Sequence, residues 1–211
     1  MMTSSTVSTS NSNFLNVPNK ISAARLLLSC VLFVLIPLHY YWLALILFVV
    51  AAGTDWIDGW YARKFNQVTQ LGRILDPFCD KILICGAYIL LAVEMNDLFP
   101  WFAQITGWMA VVVVGRELLV TVLRSLIEGA GGDFSAKMAG KLKMVFQCVA
   151  VGSCLVALAI KAGSASVVLP IWLEWSVIGS VWLSVVSTLH SGYLYLWGAR
   201  TAIMENRLES T

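Results

Sequence analysis

Charge is what this sequence has least of. Asp, Glu, Lys and Arg make up 12% of its 211 residues, against 59% hydrophobic residues and a mean hydropathy of +0.80. A soluble domain carries about twice that charge. A soluble core of this size cannot hide nine Trp, nine Phe and six Tyr, which excludes an ordinary cytosolic enzyme and turns the apolar surface toward lipid. A net charge of +2 is too small for a nucleic-acid partner. Cysteine is sparse: Cys30, Cys79, Cys85, Cys148 and Cys154 are odd in number, lie in apolar stretches and form no C-x-x-C pair, so neither a disulfide framework nor a zinc site is expected. Only two histidines occur, His39 and His190, both in or beside apolar segments, where packing or interfacial roles are expected. No fixed-period repeat and no matching pair of interrupted segments is visible, which weighs against a transporter.

Long apolar runs are what the sequence does have. Residues 3 to 13 (TSSTVSTSNSN) hold too little apolar area to offset ordering entropy, so a disordered tail over 1–17 is expected. No cleaved signal peptide is expected, because the first apolar run starts late and follows an uncharged tail. Six segments long enough to cross about 30 Å of hydrocarbon follow, roughly 20–37, 41–64, 71–95, 100–127, 137–161 and 169–198. They define an all-α polytopic membrane protein with a membrane domain over 18–199 and a short tail over 200–211. Pro18, Pro100 and Pro170 fall near segment starts and Pro37 at an end, whereas Pro77 falls inside the third segment and predicts a kink or a late helix start. Of the 14 Lys and Arg, Lys161 lies on one side of this arrangement and the remaining thirteen on the other. That asymmetry predicts an inner (cytoplasmic) membrane protein with both termini and all polar motifs facing the cytoplasm. Glu94 and Asp97 fall on the far side, in what reads as a solvated loop.

Four of the twelve acidic residues stand in 26 residues of otherwise membrane-like sequence. Asp55, Asp58, Gly59, Ala62 and Arg63 fall at i, i+3, i+4, i+7 and i+8, one stripe of a helix. Gly72, Asp76 and Asp80 fall at i, i+4 and i+8, a second stripe, and the linker 64–71 (KFNQVTQL) is short enough to set the two face to face. Four facing carboxylates need cations. Hard oxygen donors without neighbouring His or Cys favour two divalent ions, Mg²⁺ or Mn²⁺. Gly59 and Ala62 leave room for a ligand against the helix, and Arg63, about 12 Å along from Asp55, is placed to pair with a phosphate or polar head group. The plain alternative is a set of interfacial charges paired with Arg63, Arg73 and Lys81.

The run Asp55-x2-Asp58-Gly59-x2-Ala62-Arg63-x8-Gly72-x3-Asp76-x3-Asp80 resembles the complete signature of the CDP-alcohol phosphotransferases. The resemblance implies six membrane helices around a cytoplasm-facing active-site cavity. It implies that Asp55, Asp58 and Asp76, with Asp80 at the edge, hold two metal ions; that Gly59, Ala62, Arg63 and Gly72 accommodate the CDP group; and that Asp80 is the general base. Three further stretches, Asn16 to Arg25, Gly115-Arg116-Glu117 with Arg124, and Gly140-Lys141-Leu142-Lys143 with Gln147, resemble the bacterial phosphatidylglycerophosphate synthases. Ser22 and Met144 depart from that pattern, each standing where Thr is usual. The implied activity is transfer of a phosphatidyl group from CDP-diacylglycerol to glycerol 3-phosphate, releasing CMP.

Such an acceptor carries a phosphate dianion and needs fixed positive charge. Arg116 and Arg124 are i and i+8 on the fourth segment, and Lys137 and Lys141 are i and i+4 around the start of the fifth. Arg116, Arg124, Lys141 and Lys143 are the expected acceptor phosphate-binding residues, with Glu117 as a partner for an arginine. A basic loop that sets topology or meets anionic head groups is the competing reading. Another acceptor, such as inositol phosphate, would keep the chemistry; a cation channel or carrier using the carboxylates is a different class, and it would spread them through the membrane depth. Gly152, Ser153, Gly179 and Ser180 mark close helix packing, with a homodimer interface as one form of it. Trp172, Trp175, Trp182 and Trp197 in the last segment read as lipid-facing or interfacial anchors.

Overall fold

The structure is a computed structural model that describes residues 17–65, 70–96, 99–129, 138–163 and 168–209; within the helices, the side chains of 17–22, 55–65, 70–77, 80, 126, 128–129, 138–139, 141 and 201–209 lie outside that description. The described residues are all-helical, with six α-helices among them: α1 Val17–Leu35, α2 Tyr41–Phe65, α3 Gln70–Glu94, α4 Gly107–Gly129, α5 Met138–Gly163 and α6 Ile171–Glu209. Among the described residues, three stretches are long and apolar enough to cross a membrane, Trp101–Ser125, Leu142–Gly163 and Ile171–Arg200, and Ala23–Leu35 and Tyr41–Thr54 are shorter apolar helices. The most extensive helix pair is α5 on α6; α1 packs on α2 and α3, and α4 on α3 and α6.

Each helix buries one stripe at the 3.6-residue period. The buried positions are Arg25, Ser29, Leu32 and Ile36 in and just after α1, Tyr41, Ala44, Phe48 and Ala51 on α2, and Met109, Val113 and Glu117 on α4. The α5 stripe is Lys143, Gln147, Ala150, Val151, Cys154 and Leu158; that of α6 is Leu173, Val177, Val181, Ser184, Thr188, Ser191 and Tyr195. Large apolar residues such as Leu27, Val49, Val111, Val149 and Val186 face outward and are more than 45% exposed, the inversion expected of a bundle solvated by lipid.

These stripes change character at one level. Toward the α1–α2, α3–α4 and α5–α6 connections they are apolar, and toward the opposite end they turn polar, at Arg25 and Ser29, at Glu117, at Lys143 and Gln147, and between Ser184 and Tyr195 on α6. The carboxylate stretches 55–63 and 72–80 occupy the last turns of α2 and the first turns of α3, so an antiparallel pair places them at that same polar end.

The apolar end is closed by specific contacts. Tyr41 Oη donates to Glu94 Oε2 at 2.8 Å, and His39 Nδ1 lies 2.6 Å from Tyr41 Oη. Tyr41 has one proton to give, so Nδ1–H is the donor in the second bond. His39 takes a left-handed backbone, φ 62°, which turns the chain from α1 into α2. Glu94, expected in a solvated loop, is instead the last residue of α3 with its side chain 14% exposed; Asp97 lies outside the described residues. Lys161 sits over the Phe99 ring, 4.3 Å from its centroid.

Several boundaries differ from the sequence expectation. α3 starts at Gln70 and runs through Pro77, so no late start occurs, and the missing N–H costs one bond of the helix's first turns. Pro100 opens a short 3₁₀ turn, Trp101–Ala103, and Gln104 is extended, so α4 begins only at Gly107. Pro170 behaves as predicted, its carbonyl accepting from Leu173 N at 2.8 Å at the start of α6. α6 continues past 198 to Glu209, about 58 Å at 1.5 Å per residue and longer than the hydrocarbon core. Trp172, Trp175 and Trp197 are outward-facing, but Trp182 is half-buried and donates to the Phe102 carbonyl at 3.1 Å. Ser153 and Ser180 meet each other at 2.9 Å, so this pair of small residues joins α5 to α6 within one chain. The five cysteines are free thiols.

Gly86 is where α3 meets α1: a Cβ there would fall onto the ring of Phe33. Gly86→Val should therefore cost about 1–3 kcal/mol through overpacking, read as a lower denaturation midpoint in detergent. The second change Phe33→Leu should recover part of that loss.

Candidate active site

The polar end of the bundle is built from two groups of residues. The first is the carboxylate group. Asp55, Asp58, Gly59, Ala62 and Arg63 all lie within the continuous helix α2, and Gly72, Asp76 and Asp80 within the continuous helix α3, so the helical spacings that define the two stripes hold on the backbone. Their side chains, and that of Lys141, lie outside the described residues. Among the described residues no three His, Cys, Asp or Glu side chains form a further metal-holding group.

The second group is cationic and joins α4, α5 and α6. Lys143 on α5 donates to Glu117 Oε1 on α4, both side chains being at most 10% exposed. Arg116 Nη1 lies 3.4 Å from the same carboxylate oxygen, and Nη2 donates to Ser191 Oγ at 2.5 Å. The Arg116 guanidinium also stands over the Tyr195 ring, 5.3 Å from its centroid. Arg124, two turns along α4, donates through Nη2 to Tyr195 Oη at 3.4 Å. Below this layer Gln147 Nε2 donates to Thr188 Oγ1 at 3.1 Å, and Tyr88 Oη to Ser184 Oγ at 2.7 Å.

One carboxylate therefore faces two cations, with Arg124 close by, and the described cluster keeps net positive charge in a low-dielectric setting. Its hydrogen bonding is incomplete as well. The Nε atoms of Arg116 and Arg124 are buried and have no hydrogen-bond partner. A buried donor without an acceptor is costly, and an anion with several oxygens supplies what both guanidiniums lack.

The structure thus brings Arg116, Arg124 and Lys143 to one end of the bundle, and it gives Glu117 both an arginine partner and Lys143. It also adds residues that sequence reasoning missed. Ser184, Thr188, Ser191 and Tyr195 lie at i, i+4, i+7 and i+11, so the inward face of α6 carries a polar stripe from 184 to 195. That spacing was the available signal.

Residues 15–188 match the CDP-alcohol phosphatidyltransferase family. A relative from Bacillus subtilis (strain 168), a CDP-diacylglycerol–glycerol-3-phosphate 3-phosphatidyltransferase, is 38% identical over 155 residues, 66% of this chain and 76% of its own. Proteins of the same name from Salmonella choleraesuis (strain SC-B67) and Escherichia coli (strain K12) are each 30% identical over 195 residues, 90% of this chain and 98% of theirs. The chain belongs to the CDP-alcohol phosphatidyltransferase family, and it is an enzyme of that class.

Proposed function

We propose that this protein is a phosphatidylglycerophosphate synthase, transferring the phosphatidyl group of CDP-diacylglycerol to glycerol 3-phosphate. The observation that carries the choice of a phosphorylated acceptor is the buried cluster of Arg116, Arg124 and Lys143, with two guanidinium Nε donors left unpartnered. The names of the relatives from Bacillus subtilis and Escherichia coli support the same substrates.

All six helices cross the inner membrane in this reading, with both termini and the polar cavity on the cytoplasmic side. The fall of the basic residues toward the polar end supports it. Gly59, Ala62, Arg63 and Gly72 receive the CDP moiety, while the acyl chains stay in the bilayer beside the outward-facing apolar residues. Arg116, Arg124, Lys141 and Lys143 hold the phosphate of glycerol 3-phosphate. Asp80 accepts the proton of its 1-hydroxyl as that oxygen bonds to the β-phosphorus of CDP-diacylglycerol. The bond from phosphorus to the oxygen bridging to CMP breaks, giving phosphatidylglycerol phosphate and CMP.

Asp55, Asp58, Asp76 and Asp80 fit two divalent cations: they are hard oxygen donors at i, i+3 and i, i+4 on unbroken helices. When bound, Mg²⁺ or Mn²⁺ supplies charge neutralisation at the diphosphate and at the departing CMP.

The test is transfer of label from radioactive glycerol 3-phosphate into a lipid-extractable product by the purified protein. Label should enter the lipid only with CDP-diacylglycerol present, stop on EDTA addition and return with Mg²⁺ or Mn²⁺. Transfer that persists in EDTA would remove the metal assignment, and no transfer under any condition would remove the acceptor.

A further inference from the structure

We propose that Tyr195, with Ser191 one turn before it, is a positioning residue of the acceptor subsite: α6 sets the guanidiniums of Arg116 and Arg124 that grip the acceptor phosphate. This role rests on the acceptor assignment above and names residues outside the family's acidic signature.

Three observations converge on one side chain. The Tyr195 ring is buried to 2% exposure and lies under the Arg116 guanidinium, with the cation 5.3 Å from the ring centroid. Its hydroxyl accepts from Arg124 Nη2 at 3.4 Å. That same hydroxyl is 3.2 Å from the position a Cβ would take on Gly140, the residue before Lys141. One tyrosine thus meets two of the four cationic residues, through its ring and its hydroxyl, and stands close to the backbone beside a third. Ser191, fully buried, takes the Nη2 of Arg116 at 2.5 Å. Gly192 completes the seat, since a Cβ there would come within 3.3 Å of Arg116 Cγ.

The division of donors gives the arrangement its consequence. Ser191, Glu117 and the Tyr195 face hold the Nη side of Arg116, and the Tyr195 hydroxyl holds Nη2 of Arg124, while both Nε atoms stay unpartnered. A long arginine side chain loses rotamer entropy when it grips a ligand. Contacts that fix it beforehand lower that cost and appear as acceptor affinity.

The experiment is steady-state kinetics of the full chain in detergent, varying glycerol 3-phosphate and CDP-diacylglycerol separately. Tyr195→Phe keeps the ring and loses the hydroxyl; it should raise KM for glycerol 3-phosphate about 3- to 10-fold. Tyr195→Leu loses both contacts and should raise it about 30-fold or more. KM for CDP-diacylglycerol should stay within about twofold, and the denaturation midpoint of Tyr195→Phe should stay near wild type. Adding Tyr195→Phe to Arg124→Gln should have little further effect, because the hydroxyl acts through that arginine. Ser191→Ala provides an independent variant, with the same selective rise in KM expected.

Equal changes in both KM values, or full additivity with Arg124→Gln, would overturn the positioning role and leave Tyr195 as packing. The acceptor assignment has its own control. Arg116→Gln that leaves KM for glycerol 3-phosphate unchanged, or wild-type protein that does not use this acceptor, would overturn that assignment. A KM that rises in Arg116→Gln but stays fixed in the Tyr195 and Ser191 variants would sink the positioning role alone.

Discussion

Asp80→Asn should bind CDP-diacylglycerol and turn it over about 10²- to 10⁴-fold more slowly than wild type. Asn matches Asp in shape and keeps one carbonyl oxygen, so the helix around it, unbroken from Gln70 to Glu94, has no reason to change. It cannot accept the proton of the attacking hydroxyl. Single-turnover CMP release measures the chemical step, and retention of a labelled CDP-diacylglycerol analogue measures binding. Turnover within a few-fold of wild type would take Asp80 out of the base role, and loss of binding together with turnover would make it chiefly part of the CDP and metal site.

Glu117→Ala should be the most destabilising single change at the polar end, at about 3–5 kcal/mol. Lys143 is 5% exposed and Glu117 8%, and the carboxylate is partner to both Lys143 and Arg116. Removing it leaves two cations near each other in a buried site, with no carboxylate between them. Replacing the pair together, Glu117→Leu with Lys143→Met, removes the stranded charge along with its partner and should recover most of the stability. The double variant should still use glycerol 3-phosphate poorly, because the subsite has lost a cation. Equilibrium unfolding in detergent and KM measurements read the two effects separately. If Glu117→Ala were as stable as wild type, the Glu117–Lys143 contact would carry no weight in the fold.

The helices were legible because a span needs a long apolar run, and Pro, Gly and polar residues interrupt such runs where the chain turns. The errors have local causes. Arg and Glu from residue 200 onward read as a tail, yet Ala202, Met204, Glu205, Arg207 and Leu208 are good helix formers and α6 runs on to Glu209. Pro100 looked like a helix start, but it opens a 3₁₀ turn followed by extended Gln104.

The acidic group was legible for a different reason. Asp and Arg at helical spacing on two neighbouring segments are costly in a membrane without a function, and Gly and Ala beside them leave room for a ligand. The cationic group was half legible: Arg116, Arg124 and Lys143 stood out as charges in apolar sequence. Their neighbours on α6 did not, because Ser, Thr and Tyr are tolerated in membrane helices and carry no charge to mark them. The 26-residue separation of Glu117 from Lys143 and the 75-residue separation of Arg116 from Ser191 are set by how α4, α5 and α6 pack, which no local pattern encodes.

The most direct test of the central claim is CMP release from CDP-diacylglycerol by purified protein with Mg²⁺ or Mn²⁺. Glycerol 3-phosphate, inositol 1-phosphate and serine are offered one at a time, with Asp80→Asn alongside. Release driven by glycerol 3-phosphate, absent with the other two and nearly abolished by the substitution, is the predicted result. Release driven only by serine would contradict the assignment of the Arg116, Arg124, Lys141 and Lys143 subsite, release driven only by inositol 1-phosphate would contradict glycerol 3-phosphate as its acceptor, and no release with any acceptor would contradict the catalytic account as a whole.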